Sequence, residues 1–176
     1  MKRFCDGVEG ALRHALVALV ATMVVTVGWQ VISRLVARLS VAFDLPQVVE
    51  PSRWTEELAG FQLGWLALLG AVYALRRGEH PGFDLVYSKW SAGQKRLADR
   101  LGFGLIAAFS LLVLTYGGAR LAFMTLQLGQ TTPALGWPMG VVYSVIPTSG
   151  LLMTLFAVER LMHTPAESQR RAETLL

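Results

Sequence analysis

Residues 54–77 read WTEELAGFQLGWLALLGAVYALRR, and from Leu58 to Leu75 no residue carries a charge. Glu56 and Glu57 close the run on one side, Arg76 and Arg77 on the other. A helix needs about 20 predominantly apolar residues to cross a hydrocarbon core about 30 Å thick. This stretch has that length and the charged borders of one membrane crossing. Three further charge-free runs surround it, from Ala15 to Ser33, from Leu101 to Ala119 and from Leu121 to Val158. The last is too long for a single span. Thr131, Thr132, Pro133, Gly136 and Pro138 cluster near its beginning and read as a loop. The expectation is an all-α integral membrane protein with four transmembrane helices, at about 15–33, 57–75, 101–120 and 137–158. They form one membrane domain over 1–163, followed by a polar tail, 164–176, expected to fray.

Composition agrees with lipid as the solvent. Hydrophobic residues make up 53% of the 176 and charged residues only 16%, well below the roughly 25% usual in soluble domains. Twelve of the 16 Lys and Arg fall on one side of the four spans: Lys2, Arg3, Arg13, Arg76, Arg77, Lys89, Lys95, Arg96, Arg100, Arg160, Arg170 and Arg171. Only Arg34, Arg38, Arg53 and Arg120 fall on the other, so the positive-inside rule places both termini in the cytoplasm. The sequence pI near 9.6 therefore reflects topology. The basic residues border hydrophobic spans and form no groove-reading face, so no nucleic-acid partner is expected. A signal peptide is disfavoured, because the first apolar run exceeds the roughly 7 to 15 residues of a signal core. Asp6 and Glu9 also interrupt its positive leader.

Between the second and third spans, Asp84 to Arg100 mixes Leu85, Val86, Trp90 and Leu97 with Lys89, Lys95, Arg96 and Arg100, a pattern suited to a short interfacial helix. On the second span Gly60, Gly64, Ala67, Ala71 and Ala74 recur at helical spacing and form one face of small residues, a candidate helix or subunit contact. Gly136 and Gly140 repeat the four-residue spacing in the fourth span. Pro147 there removes the donor for the Tyr143 carbonyl, so a kink is expected. On the outer side Arg34, Arg38 and Arg120 meet Glu56 and Glu57, either as a charge network or as groups solvated separately at the headgroups.

Catalytic and metal chemistry find little support. His14, His80 and His163 all lie at cytoplasmic span ends, away from the facing pairs that a haem needs. The single Cys5 forms no internal disulfide, and no carboxylate, His, Lys or Cys lies mid-span to act as base, nucleophile or ligand. No cofactor is expected. The same absence of midplane charge, and of an internal repeat, argues against an ion or anion pathway within this chain alone.

Two stretches carry a family resemblance. The first runs from Trp54-Thr55-Glu56-Glu57-Leu58 through Trp65-Leu66-Ala67-Leu68-Leu69-Gly70-Ala71 to Arg76-Arg77-Gly78-Glu79-His80 and Asp84. The second is Gly129-Gln130-Thr131-Thr132-Pro133-Ala134-Leu135-Gly136-Trp137-Pro138-Met139, followed by Tyr143, Pro147 and Ser149-Gly150. Together they resemble the small membrane subunit, the Q component, of tripartite ATP-independent periplasmic (TRAP) transporters, with Arg76, Arg77, His80, Asp84, Gly129, Pro133, Pro138 and Pro147 at motif positions. Gly60, Pro81 and Trp137 depart from the residues usual there. The resemblance implies a bacterial inner membrane location, a large membrane subunit as partner and a periplasmic substrate-binding protein. It also implies sodium-driven uptake of an organic acid or related solute, with the small subunit bracing the scaffold among membrane lipids. The competing reading is an independent small four-helix membrane protein, self-associating or carrying a cofactor.

Overall fold

The computed structural model describes residues 2–43, 52–77 and 92–173, with side chains described for 5–43, 52–77, 93–94 and 97–162. Helix α1 runs Lys2–Ala42 and α2 runs Arg53–Arg77. The third span is continuous through α3 (Ala92–Phe109), a π-helical segment (Ser110–Gly117) and α4 (Gly118–Gln127). A short α5 (Met139–Tyr143) and a long α6 (Val145–Glu173) form the fourth. Among the described residues, four helical stretches are long and apolar enough to cross a membrane: Cys5–Ala42, Arg53–Arg77, Leu97–Gln127 and Met139–Met162. At 1.5 Å per residue the 41 residues of α1 extend about 60 Å, twice the hydrocarbon thickness. It overruns the crossing expected at 15–33 in both directions.

Of the stretch expected as an interfacial helix, 84–91 lies outside the described residues, as do His80 and Asp84. Residues 92–100 are helical and run directly into the third span. The tail expected to fray is helical through Glu173.

The principal packing sets α1 on α2, α2 on α6, and α6 on α3 and the π segment, so α2 and α6 are the inner pair. The buried cluster of Cys5, Leu12, Val72, Leu75, Phe156 and Ala157 lies at the end that carries Arg76 and Arg160, here called the basic end. In the most apolar window of each span, 28% of the fourth but only 6% of the first is buried, which marks α6 as central and α1 as peripheral. Val24, Val25, Val31, Leu105, Leu112 and Phe123 remain more than half exposed. Such a surface suits lipid or another chain.

Glycines set the approach of the third and fourth spans. A Cβ on Gly118 would stand 2.7 Å from Ile146 Cγ2 and 3.0 Å from the Pro147 ring. One on Gly150 would stand 2.7 Å from both Leu114 Cβ and Thr115 N, and one on Gly140 would stand 2.5 Å from the Ala122 carbonyl. Close helix approach in lipid depends on small residues of this kind. Gly136, by contrast, sits in the loop at φ 66, a left-handed conformation, and is not part of a helical pair with Gly140. The fourth span breaks at Ser144. Pro147 offers no N–H to the Tyr143 carbonyl, and the Ser144 hydroxyl donates to the Val141 carbonyl at 2.7 Å.

Candidate functional site

The densest polar constellation is built on Arg76, the penultimate residue of α2. The C-terminal end of a helix presents unpaired carbonyls and a negative pole, which favours a cation there. Asp6 and Glu9 lie three apart on one face of α1, and Glu159 stands one turn beyond Phe156 on α6. All three carboxylates meet the one guanidinium. Arg76 Nη2 donates to Asp6 at 2.7 Å, Nε donates to Glu9 at 3.3 Å, and Nη1 pairs with Glu159. Arg77 pairs with the other Glu9 oxygen at 3.4 Å, and Arg160 donates to the Arg76 carbonyl at 3.2 Å. The Arg76 guanidinium also lies over the Phe156 ring at 5.4 Å. Side-chain exposure is graded, from 64% at Asp6 and 26% at Glu9 to 3% at Glu159. Three cations thus face three acids, and the most buried acid depends most on its partner.

Arg76 and Arg77 border the second span side by side but face different surroundings. Arg77 is half exposed, whereas Arg76 turns inward, with 16% of its side chain exposed. The available signal was the presence of acids on the side with most cations. Asp6, Glu9 and Glu159 occur at the ends of two spans that share a side with Arg76.

At the opposite end the five charges proposed as a rim divide. Arg34 forms an ion pair with Glu56, which also accepts from Gln30 Nε2 at 3.4 Å, and Trp29 Nε1 donates to Ser52 at 3.1 Å. Glu57 instead accepts the backbone N–H groups of Ala134 and Leu135 at 2.9 and 2.8 Å. Arg38 and Arg120 are exposed and make no ion pair with another described residue. The loop that Glu57 holds is closed on itself. Thr132 N–H donates to the Trp137 carbonyl, Met139 N–H to the Gln130 carbonyl (both 2.8 Å), and Trp137 N–H to the Thr132 hydroxyl at 3.0 Å. Of the motif prolines, Pro133 sits in the turn, Pro138 precedes α5, and Pro147 packs on Gly118.

Between the two ends, Gln62 Nε2 donates to the Thr22 hydroxyl at 3.1 Å and Trp65 Nε1 to the Val142 carbonyl at 3.0 Å, tying α2 to α1 and to α5. The Gln62 Oε1 and Ser110 Oγ atoms are buried without a partner among the described residues. The small-residue face of α2 is bare. Gly60, Gly64, Ala67 and Ala71 are exposed, Ala74 is half-buried, and a Cβ on either glycine would meet nothing within 4 Å. No group of three metal-ligating side chains occurs among the described residues.

The family model of the DctQ component of tripartite ATP-independent periplasmic transporters matches residues 23–165. A C4-dicarboxylate TRAP transporter small permease protein, DctQ, of Rhodobacter capsulatus is 34% identical over 100 residues, which cover 57% of this chain and 44% of that protein. A protein described as a TRAP transporter small permease of Haemophilus influenzae is 28% identical over 111 residues, 62% of this chain and 66% of its own length. The match therefore spans less than half of the first relative and just under two thirds of the second. The matched residues include Glu57, its loop, Arg76 and Glu159, and begin after Asp6 and Glu9.

Proposed function

This chain belongs to the DctQ component family of the tripartite ATP-independent periplasmic transporters, and from that premise we propose that it is a scaffolding subunit with no substrate path of its own. It is a membrane component of a transporter and not an enzyme. In this reading it braces a large membrane subunit in the bacterial inner membrane, while a periplasmic protein delivers an organic acid or related solute and a sodium gradient drives uptake. The observation that carries the reading is the distribution of polar groups. The charged side chains sit at the span ends, where Arg76, Glu56 and Glu57 tie segments of this chain to one another. The mid-span polar groups are neutral, and two of them, Gln62 and Trp65, hold helix to helix. Substrate and ion pathways place ionisable groups near the midplane, whereas a brace needs rigid ends and a surface for its partner.

The bare face of α2, Gly60, Gly64, Ala67 and Ala71, is that surface in this proposal. Gly118, Gly140 and Gly150 are closed off by a neighbouring helix within 3 Å, whereas Gly60 and Gly64 stand open on the exposed small-residue face of α2. A helix of the large subunit would take the place left there. Gly64→Leu is expected to reduce co-purification with the co-expressed large subunit, with uptake falling in parallel. Normal recovery and normal uptake would move the contact to another face.

A further inference from the structure

The N-terminal turns of α1 are held by charge as well as by packing. Among the described side chains before His14, only Cys5 and Leu12 are buried, and apolar contact between helices provides little net drive in lipid. Val8 and Leu16 pack partly against the same cluster, and Asp6 and Glu9 supply the polar attachment among the described side chains. We propose that Arg76 is the keystone of a latch that seats the start of α1 on the α2–α6 pair, and that the latch opens at α1 first. Each of its three carboxylates occupies a different nitrogen of the guanidinium. A lysine, with one nitrogen and no planar fork, cannot reproduce that arrangement.

The graded exposure gives the latch its direction. Glu159 is buried, and Arg76 lies over Phe156, which clusters with Val72 and Leu75, so α2 and α6 remain joined by packing when the acids of α1 let go. Asp6 is mostly solvated and Glu9 partly so, which makes their half the weaker. Cys5 precedes Asp6 and is fully buried beneath this half. Release of the α1 turns uncovers it.

Cys5 is the only cysteine, so the rate of its reaction with N-ethylmaleimide reads the latch directly in the full chain held in lipid nanodiscs. Each rate is divided by that of the same variant unfolded in dodecyl sulfate and followed across pH, which separates exposure of the thiol from its thiolate fraction. Asp6→Asn with Glu9→Gln leaves the Arg76–Glu159 pair in place and is expected to speed labelling about tenfold or more. Arg76→Lys should do the same. Glu56→Gln, which loosens α1 at the far end, should label at the wild-type rate. Wild-type labelling of the Asp6/Glu9 double variant would overturn the proposal. Equal acceleration by Glu56→Gln would overturn it as well, since α1 would then be loosening along its whole length.

Discussion

Gly150→Ala adds one methyl group at a close approach of the third and fourth spans. The new Cβ would lie 2.6 Å from Thr115 Oγ1 and 2.7 Å from Thr115 N and Leu114 Cβ, where ordinary contact begins at 3.4 Å. Relief requires the spans to part by somewhat under 1 Å, because a backbone nitrogen is among the obstacles and cannot swing aside. Thr115 is further restrained by its hydroxyl, which donates to the Ser110 carbonyl at 2.9 Å across the π segment. Overpacking of this kind costs about 1–3 kcal/mol. Alanine recovers roughly 0.5–1 kcal/mol through its better helix propensity, so a net loss of about 1–2 kcal/mol is expected. Gly64→Ala makes no collision and keeps the propensity gain alone, so the isolated chain should be unchanged or slightly more stable. Equilibrium unfolding by dodecyl sulfate in mixed micelles, followed by tryptophan fluorescence, compares the two. Equal stability of the two variants would refute the assignment of the close seam to Gly118, Gly140 and Gly150.

Glu57→Ala removes the acceptor of two loop N–H groups and should destabilise by about 2–3 kcal/mol, while Glu57→Gln keeps an acceptor oxygen and should lose about half as much; proteolysis at the 128–138 loop tracks the same order. The Arg34–Glu56 pair is about half exposed on both sides, so a double-mutant cycle should give at most about 1 kcal/mol of coupling, reduced at high salt. Coupling of several kcal/mol would show the pair to be buried in the assembled protein. Gln62→Met exchanges one bond to Thr22 for removal of a buried unpaired oxygen; in-membrane bonds average about 0.6 kcal/mol, so stability should change by less than about 1 kcal/mol in the unfolding assay.

The four spans were legible because lipid imposes a one-dimensional rule. A crossing must exclude charge over about 20 residues, and runs such as Leu58 to Leu75 do so with charges at both borders. Loop residues were legible for a similar reason, since Pro133, Gly136 and Pro138 break helices locally. Which helix faces which was not. The spacing of Gly60, Gly64, Ala67 and Ala71 defines a face but names no neighbour, and the glycines that meet another span within this chain are Gly118, Gly140 and Gly150, which follow no short repeat. The π segment at 110–117 shares its residue types with an ordinary apolar helix and leaves no mark in the pattern. Arg76 and Arg77 look equivalent in sequence, and only the rotation of α2 turns one toward Glu159 and the other outward. Glu56 and Glu57 separate in the same way, one to Arg34 and the other to the backbone of a loop 77 residues away.

The central claim is that this chain supports transport without carrying out any of it. Proteoliposomes containing the chain alone, the proposed large membrane subunit alone, or both, each supplied with the proposed periplasmic binding protein loaded with its solute and with an inward sodium gradient, test that claim directly. The account predicts uptake with both membrane chains together, little with the large subunit alone and none with this chain alone. Sodium-driven uptake by this chain alone, or full uptake when it is left out, would contradict it.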